Sequence, residues 1–176
     1  LGTSMLPRMS KLNSDGNKDK MLTYFETSIK FSGFMAFAMA FGITSIASVL
    51  IPIYYGKGFE RSIPMLQLLS FSWLFTTWAS ALRTQYLIPL KKDKEYIISV
   101  FCGAIANILL NLWLIPILQG VGAVIATVIA EASVALVQTL ALKSELPLGT
   151  YFKEYLLYII PAIPMYCVVA FIVSAV

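Results

Sequence analysis

The chain has 176 residues and a net charge of +4, and 59% of its residues are hydrophobic while only 12% are charged. Soluble domains carry roughly 25% charged residues, so that class is excluded, and a mean hydropathy of +0.80 points to a polytopic membrane protein. With no His, a histidine proton relay and a His-ligated metal site are excluded within this chain as well.

In chain order, LGTSML reads as the last turn or two of a preceding span. Residues 7–30 follow as a cytoplasmic loop and an interfacial helix, with Met21, Leu22, Phe25 and Ile29 at roughly helical spacing and Tyr24 at headgroup depth. Five apolar stretches are then predicted as spans: 31–55, 63–90, 96–118, 120–142 and 155–176. Each exceeds the ~20 residues that a helix rising ~1.5 Å per residue needs to cross ~30 Å of hydrocarbon. None has the length, position and cleavage pattern of a signal peptide. The expected fold class is all-α, a polytopic membrane helix bundle of about five spans plus the stub of a preceding one. FIVSAV ends without a polar flank, so the chain reads as a piece of a larger protein.

Leu-Ile-Pro recurs at 50–52, 87–89 and 114–116, near span ends, where Pro stops a helix at little cost. Ser62 is the predicted N-cap of the second span. Pro161 and Pro164 lie inside the fifth span and are expected to kink or break it. Cys102 and Cys167 fall inside spans, where a buried Cys acts as a small apolar residue. They form no disulfide framework or zinc spacing, and nothing in the sequence calls for a cofactor.

Alternating the loops between the two sides divides the basic residues 11 to 2. One side holds Arg8, Lys11, Lys18, Lys20, Lys30, Arg83, Lys91, Lys92, Lys94, Lys143 and Lys153; the other holds Lys57 and Arg61. The positive-inside rule places the first side in the cytoplasm. Position thus accounts for the net charge, and no nucleic-acid partner is expected. Short outer hairpins make neighbours of spans 1 and 2, and of spans 3 and 4.

Helical spacing groups the polar residues of the spans. Ser99, Gly103, Asn107 and Asn111 form one face of span 3. Thr127, Glu131 and Gln138 fall within a narrow arc of span 4. Span 2 carries Ser70, Thr77, Ser80 and Thr84 with Arg83 beside them, and span 1 has a small-residue edge of Ala36, Ala40, Thr44 and Ser48 opposite Phe37 and Phe41. Helix packing explains such stripes, since small residues allow close approach and amides bond across interfaces. Arg83 has two readings: snorkelling to the headgroups, or binding an anion. Glu131 is too short and too central to snorkel. It is either a protonated acid bonded across to a neighbouring helix, or it lines a polar cavity inside the bundle.

Taken together, LGTSMLPRMSKL, LIPIYYGKGFERSIPMLQLLS, QYLIPLKKDKEY and GAIANILLNLWLIPILQGVGAVIATVIAE resemble the polysaccharide flippases of bacterial cell envelopes. Those belong to the multidrug/oligosaccharidyl-lipid/polysaccharide exporter superfamily. The resemblance implies a bacterial plasma-membrane protein with two helical lobes around a central cavity, of which this chain is part of the C-terminal lobe. It implies flipping of undecaprenyl-pyrophosphate-linked oligosaccharide repeat units, with polysaccharide polymerase and glycosyltransferases as partners and Na+ or H+ as a coupling ion. For such a cargo Arg83 suits pyrophosphate, and Asn107, Asn111 and Gln138 suit sugar hydroxyls. Glu131 would bond sugars, pair with Arg83 or hold the coupling cation. The competing readings are a drug or cation antiporter of the same superfamily, a membrane protein without transport, and a membrane-embedded enzyme. The outer loops are too short for an enzyme site, so no enzyme activity is expected.

Overall fold

Asn17 opens the longest helix of the chain: its side-chain oxygen accepts the backbone N–H of Lys20 at 3.3 Å, satisfying a free donor of the first turn. In the computed structural model, which describes residues 2–174, the elements in order are α1 (Gly2–Ser14), α2 (Lys18–Tyr55), α3 (Ser62–Ser70) and α4 (Ser72–Leu82). A π-helical turn (Arg83–Leu87), α5 (Asp93–Leu118), α6 (Gly120–Leu142), α7 (Leu148–Leu156) and α8 (Ile159–Ser174) complete the chain. Four stretches are long and apolar enough to cross a membrane: α2, α5, α6, and α7 with α8 taken as Leu148–Ser174. The fold is an all-α membrane helix bundle, without strands among the described residues.

The remaining predicted span, 63–90, forms no single helix. It tightens at Phe71, whose N–H bonds the Leu68 carbonyl three residues back at 3.2 Å. Hydroxyls on either side compete for helical carbonyls: Ser72 Oγ donates to Leu69 O at 2.7 Å, and Ser70 Oγ lies 3.0 Å from Ala40 O of α2. A second departure follows at Arg83, where Ile88 N–H reaches five residues back to the Arg83 carbonyl at 3.0 Å. Ser62 is the first helical residue of α3 rather than its cap, and no side chain caps that end.

Other boundaries also move. Residues 7–14, expected as loop, belong to α1, which is docked by the fully buried Met9 and by Asn13 Nδ2 donating to Pro89 O at 3.1 Å. Residue 1 of the predicted stub and residues 175–176 of the fifth span lie outside the described residues. α2 runs through Pro52 to Tyr55, and α5 through Pro116 to Leu118. A Pro in a last turn removes only one helical bond. The stops are Gly56 at φ 82° and Gln119 at φ 53°, left-handed positions that end a helix. The fifth span breaks at Leu157–Tyr158, one turn before Pro161, whose ring is incompatible with a helical carbonyl four residues back. α8 then continues through Pro164. Cys102 and Cys167 are both exposed on the bundle surface, a place where a bilayer would accept them without burial in protein.

α5 and α6 form an antiparallel hairpin joined at Gln119 alone. Gln138 Nε2 donates to Ser99 Oγ at 3.0 Å, Gly103 faces Val134, and Gly122 faces Leu114. At α2 and α3 the seam is polar: Thr44 Oγ1 and Ser70 Oγ are 2.8 Å apart, and Gln67 Nε2 donates to Thr44 O at 3.2 Å. Phe37, expected opposite the small-residue edge, is buried along with Ala36 and Ala40. The aromatic core lies between α2, α4 and α7, where Tyr155 packs at 5.6 Å from Phe37 and 5.2 Å from Trp78, ring centre to ring centre. Tyr155 OH donates to Leu74 O at 2.8 Å and sits 2.7 Å from Thr77 Oγ1. α5 turns Phe101, Ile105, Ile108, Leu112 and Trp113 outward, as a helix in hydrocarbon can.

Candidate functional site

Ser72, Thr76 and Ser80 recur every four residues on α4 and share one face. Arg83, the first residue of the π turn, continues that row by seven-residue spacing from Thr76. Thr76 is exposed, while Ser72, Ser80 and Arg83 are half-buried. α6 packs alongside, and Glu131, at the middle of that helix, reaches the row: Thr76 Oγ1 donates to Glu131 Oε2 at 3.1 Å. The same hydroxyl lies 2.9 Å from the Ser72 carbonyl, so one proton serves two acceptors and the carboxylate keeps lone pairs free for other donors.

Glu131 and Arg83 are not paired; neither enters an ion pair among the described residues. Along the helix, Thr76 and Arg83 are separated by ~10 Å. The Arg83 guanidinium lies 5.7 Å from the ring centre of Tyr96, on the first turn of α5, within cation–π reach. The row therefore carries a cation near the end of the bundle that bears Lys91, Lys92 and Lys94, and an acid near mid-helix. Lys92 also pairs with Glu145, which accepts a hydrogen bond from Tyr86 OH at 3.2 Å, tying the π turn to the loop after α6.

Asn107 and Asn111 sit one turn apart on α5. Asn111 Nδ2 donates to Asn107 Oδ1 at 2.9 Å, and Asn111 Oδ1 is buried without a hydrogen-bond partner among the described residues. Gln138 is enclosed between α5 and α6, where its Nε2 donates to Ser99 and its Oε1, like Asn111 Oδ1, has no partner among the described residues. The structure thus brings Glu131 to α4, keeps the two asparagines together on α5, and separates Gln138 and Arg83 from both. Three residues lie outside the polar groups read from the sequence: Ser72 and Thr76, beside Ser70 and Thr77, and Gln85, which directly follows Arg83 and Thr84.

A family profile described as lipid II flippase MurJ matches residues 1–176, the whole chain. The chain belongs to the lipid II flippase MurJ family. That family lies in the multidrug/oligosaccharidyl-lipid/polysaccharide exporter superfamily, so the resemblance to polysaccharide flippases holds at the superfamily level, and the branch matched is the lipid II one. This MurJ-family chain is a multi-pass plasma-membrane protein, and its class of function is the flipping of a lipid-linked oligosaccharide. No curated protein and no solved structure gave a significant match.

Proposed function

We propose that this chain forms part of the lobe wall along which a pyrophosphate-linked sugar on a polyprenyl tail crosses from the inner to the outer leaflet. The observation that carries the reading is the α4 row with Glu131. It sets an acid and a cation on a bundle whose outward faces are largely apolar, and hydrocarbon gives such charges no partner. A water-filled path between two lobes does, and alternating access would expose it to each side in turn.

In this reading Arg83 receives the pyrophosphate at the cytoplasmic end, where the basic loops lie by the positive-inside rule. Asn107 and Asn111 offer amides to sugar hydroxyls, and Glu131 holds either a sugar hydroxyl or the coupling Na+ or H+. We assign Gln138 to hairpin packing. The protein acts without covalent chemistry, as a transporter and not an enzyme. Lipid II is the first cargo to test because of the family match, and an undecaprenyl-linked repeat unit delivered by glycosyltransferases and consumed by a polymerase is the second. One observation favours cation exchange instead: Glu131 has no basic partner among the described residues.

The experiment is transport by the full protein in proteoliposomes, comparing fluorescent lipid II, a lipid-linked repeat unit and a small organic cation. Transport of either lipid supports the flippase reading; export of the cation alone sinks it. In the same assay Arg83→Lys is expected to lower the rate by about tenfold, because a point charge replaces a bidentate fork. Full activity of Arg83→Lys would mean that Arg83 only anchors the helix at the headgroups.

A further inference from the structure

Two arginines lie against tyrosine rings, and their surroundings differ. Arg8 lies over the Tyr24 ring at 4.0 Å and also donates to the Tyr24 hydroxyl, on an exposed part of the surface. Arg83 lies over the Tyr96 ring at 5.7 Å. It is half-buried, yet its guanidinium enters no hydrogen bond and no ion pair among the described residues. The acid tied to the π turn is already engaged, since Glu145 takes both Lys92 and the Tyr86 hydroxyl.

A carboxylate partner would fix the Arg83 guanidinium by occupying its N–H donors and cancelling its charge. An aromatic face attracts the same cation through its π electrons, and leaves both the donors and the charge free for another anion. The ring itself is firmly placed. Lys91, at φ 57°, reverses the chain after the π turn, and Lys92 N–H closes onto Leu87 O at 2.8 Å, which brings the start of α5 back beside that turn. Tyr96, on the first turn of α5, is then braced from α6. Ser99 Oγ donates to the Tyr96 carbonyl at 2.6 Å, and Gln138 Nε2 donates to Ser99 Oγ at 3.0 Å. Ser99 and Gln138 are both fully enclosed, so water does not compete for these bonds. The π turn thus places Arg83, and α6 places the ring that faces it.

We propose that Tyr96 is the positioning residue for Arg83, holding the guanidinium at the cytoplasmic end of the α4 row with its donors free for the pyrophosphate. The assignment rests on the reading of Arg83 as the pyrophosphate group and adds to it what aims that group. Tyr96 acts through Arg83, and Ser99 and Gln138 brace it.

The test is a double-mutant cycle on initial rates of lipid II flipping by the full protein in proteoliposomes, with KM and kcat resolved for each variant. Tyr96→Leu removes the aromatic face and keeps apolar bulk. It is expected to raise KM about twofold to fivefold, the worth of a cation–π contact at a partly exposed site, with kcat near wild type because binding alone is weakened. Tyr96→Phe retains the face and should retain most of the affinity. In an Arg83→Gln background, Tyr96→Leu should add nothing further, because no guanidinium is left to aim. An equal effect of Tyr96→Leu with and without Arg83 overturns the proposal, as a purely structural role would give that result. So does a wild-type KM for Tyr96→Leu where Arg83→Gln is impaired, or a Tyr96→Phe variant as impaired as Tyr96→Leu. If Arg83→Gln flips lipid II as well as wild type, the pyrophosphate reading of Arg83 itself fails.

Discussion

Replacing Glu131 by glutamine is expected to cut transport by at least about tenfold, the lower worth of a hydrogen bond to a charged group, while insertion and thermal stability stay near wild type. Glutamine has the same shape, and its amide oxygen can still accept from Thr76, whose hydroxyl is 3.1 Å from Glu131 Oε2. What it loses is the negative charge, which a coupling cation or a developing contact with the cargo requires. Glu131→Leu separates the two uses of the acid. An acid kept for packing alone accepts an apolar replacement of similar size, since nothing charged is then left unpaired. Initial rates in proteoliposomes, normalised to reconstituted protein, read both variants. Wild-type rates in both would mean that Glu131 is an interhelical bond and that the polar strip has no acid at work in it.

The second large effect is structural. A Cβ built on Gly122 collides with the Leu114 carbonyl oxygen and lies 2.6 Å from its carbon, so backbone meets backbone where α6 leaves the one-residue turn. No rotamer relieves that contact, and the hairpin must splay. Gly122→Ala is expected to lower stability by about 3 kcal/mol, the upper end for overpacking. At Gly103 the main obstacle is a side chain, Val134 Cγ2, so Gly103→Ala should be milder and largely restored by Val134→Ala in the same chain. Thermal unfolding in detergent gives the comparison. A Gly122→Ala variant as stable as wild type would contradict the close approach of α5 and α6.

The contrast between what the sequence disclosed and what it hid has a physical basis. α2 beyond Lys30, α5 beyond Glu95 and α6 are long apolar runs, and an apolar run of that length has few alternatives to a membrane helix. Glu131 stood out for the same reason, as one acid in a run of 23 residues. The break at Phe71 has no Gly or Pro to announce it; Ser70 and Ser72 bond nearby carbonyls there, and whether a hydroxyl does so is set by the helices packed around it. The π turn at Arg83 ends two residues before Pro89, which marks a helix end in the sequence but not a widened turn ahead of it. Helical spacing also gives an angle without naming the neighbour at that angle. Glu131 and Gln138 share an arc of α6, yet one meets α4 at Thr76 and the other meets α5 at Ser99, because that arc lies in the crease between two helices. Gln85 stayed hidden because only the wide turn directs it inward.

The most direct measurement of the account is the reach of water to the α4 row. With Cys102 and Cys167 replaced by alanine, single cysteines at Thr76, Glu131 and Phe171 would be treated with a membrane-impermeant thiol reagent in proteoliposomes carrying the protein in both orientations. Phe171 serves as the control on the outward apolar face of α8, where it is 75% exposed on the bundle surface. The account predicts that Thr76→Cys and Glu131→Cys react, that lipid II slows both reactions, and that Phe171→Cys stays unlabelled. Positions 76 and 131 as inert as position 171 would contradict it, because the polar strip would then be sealed between helices with no path beside it.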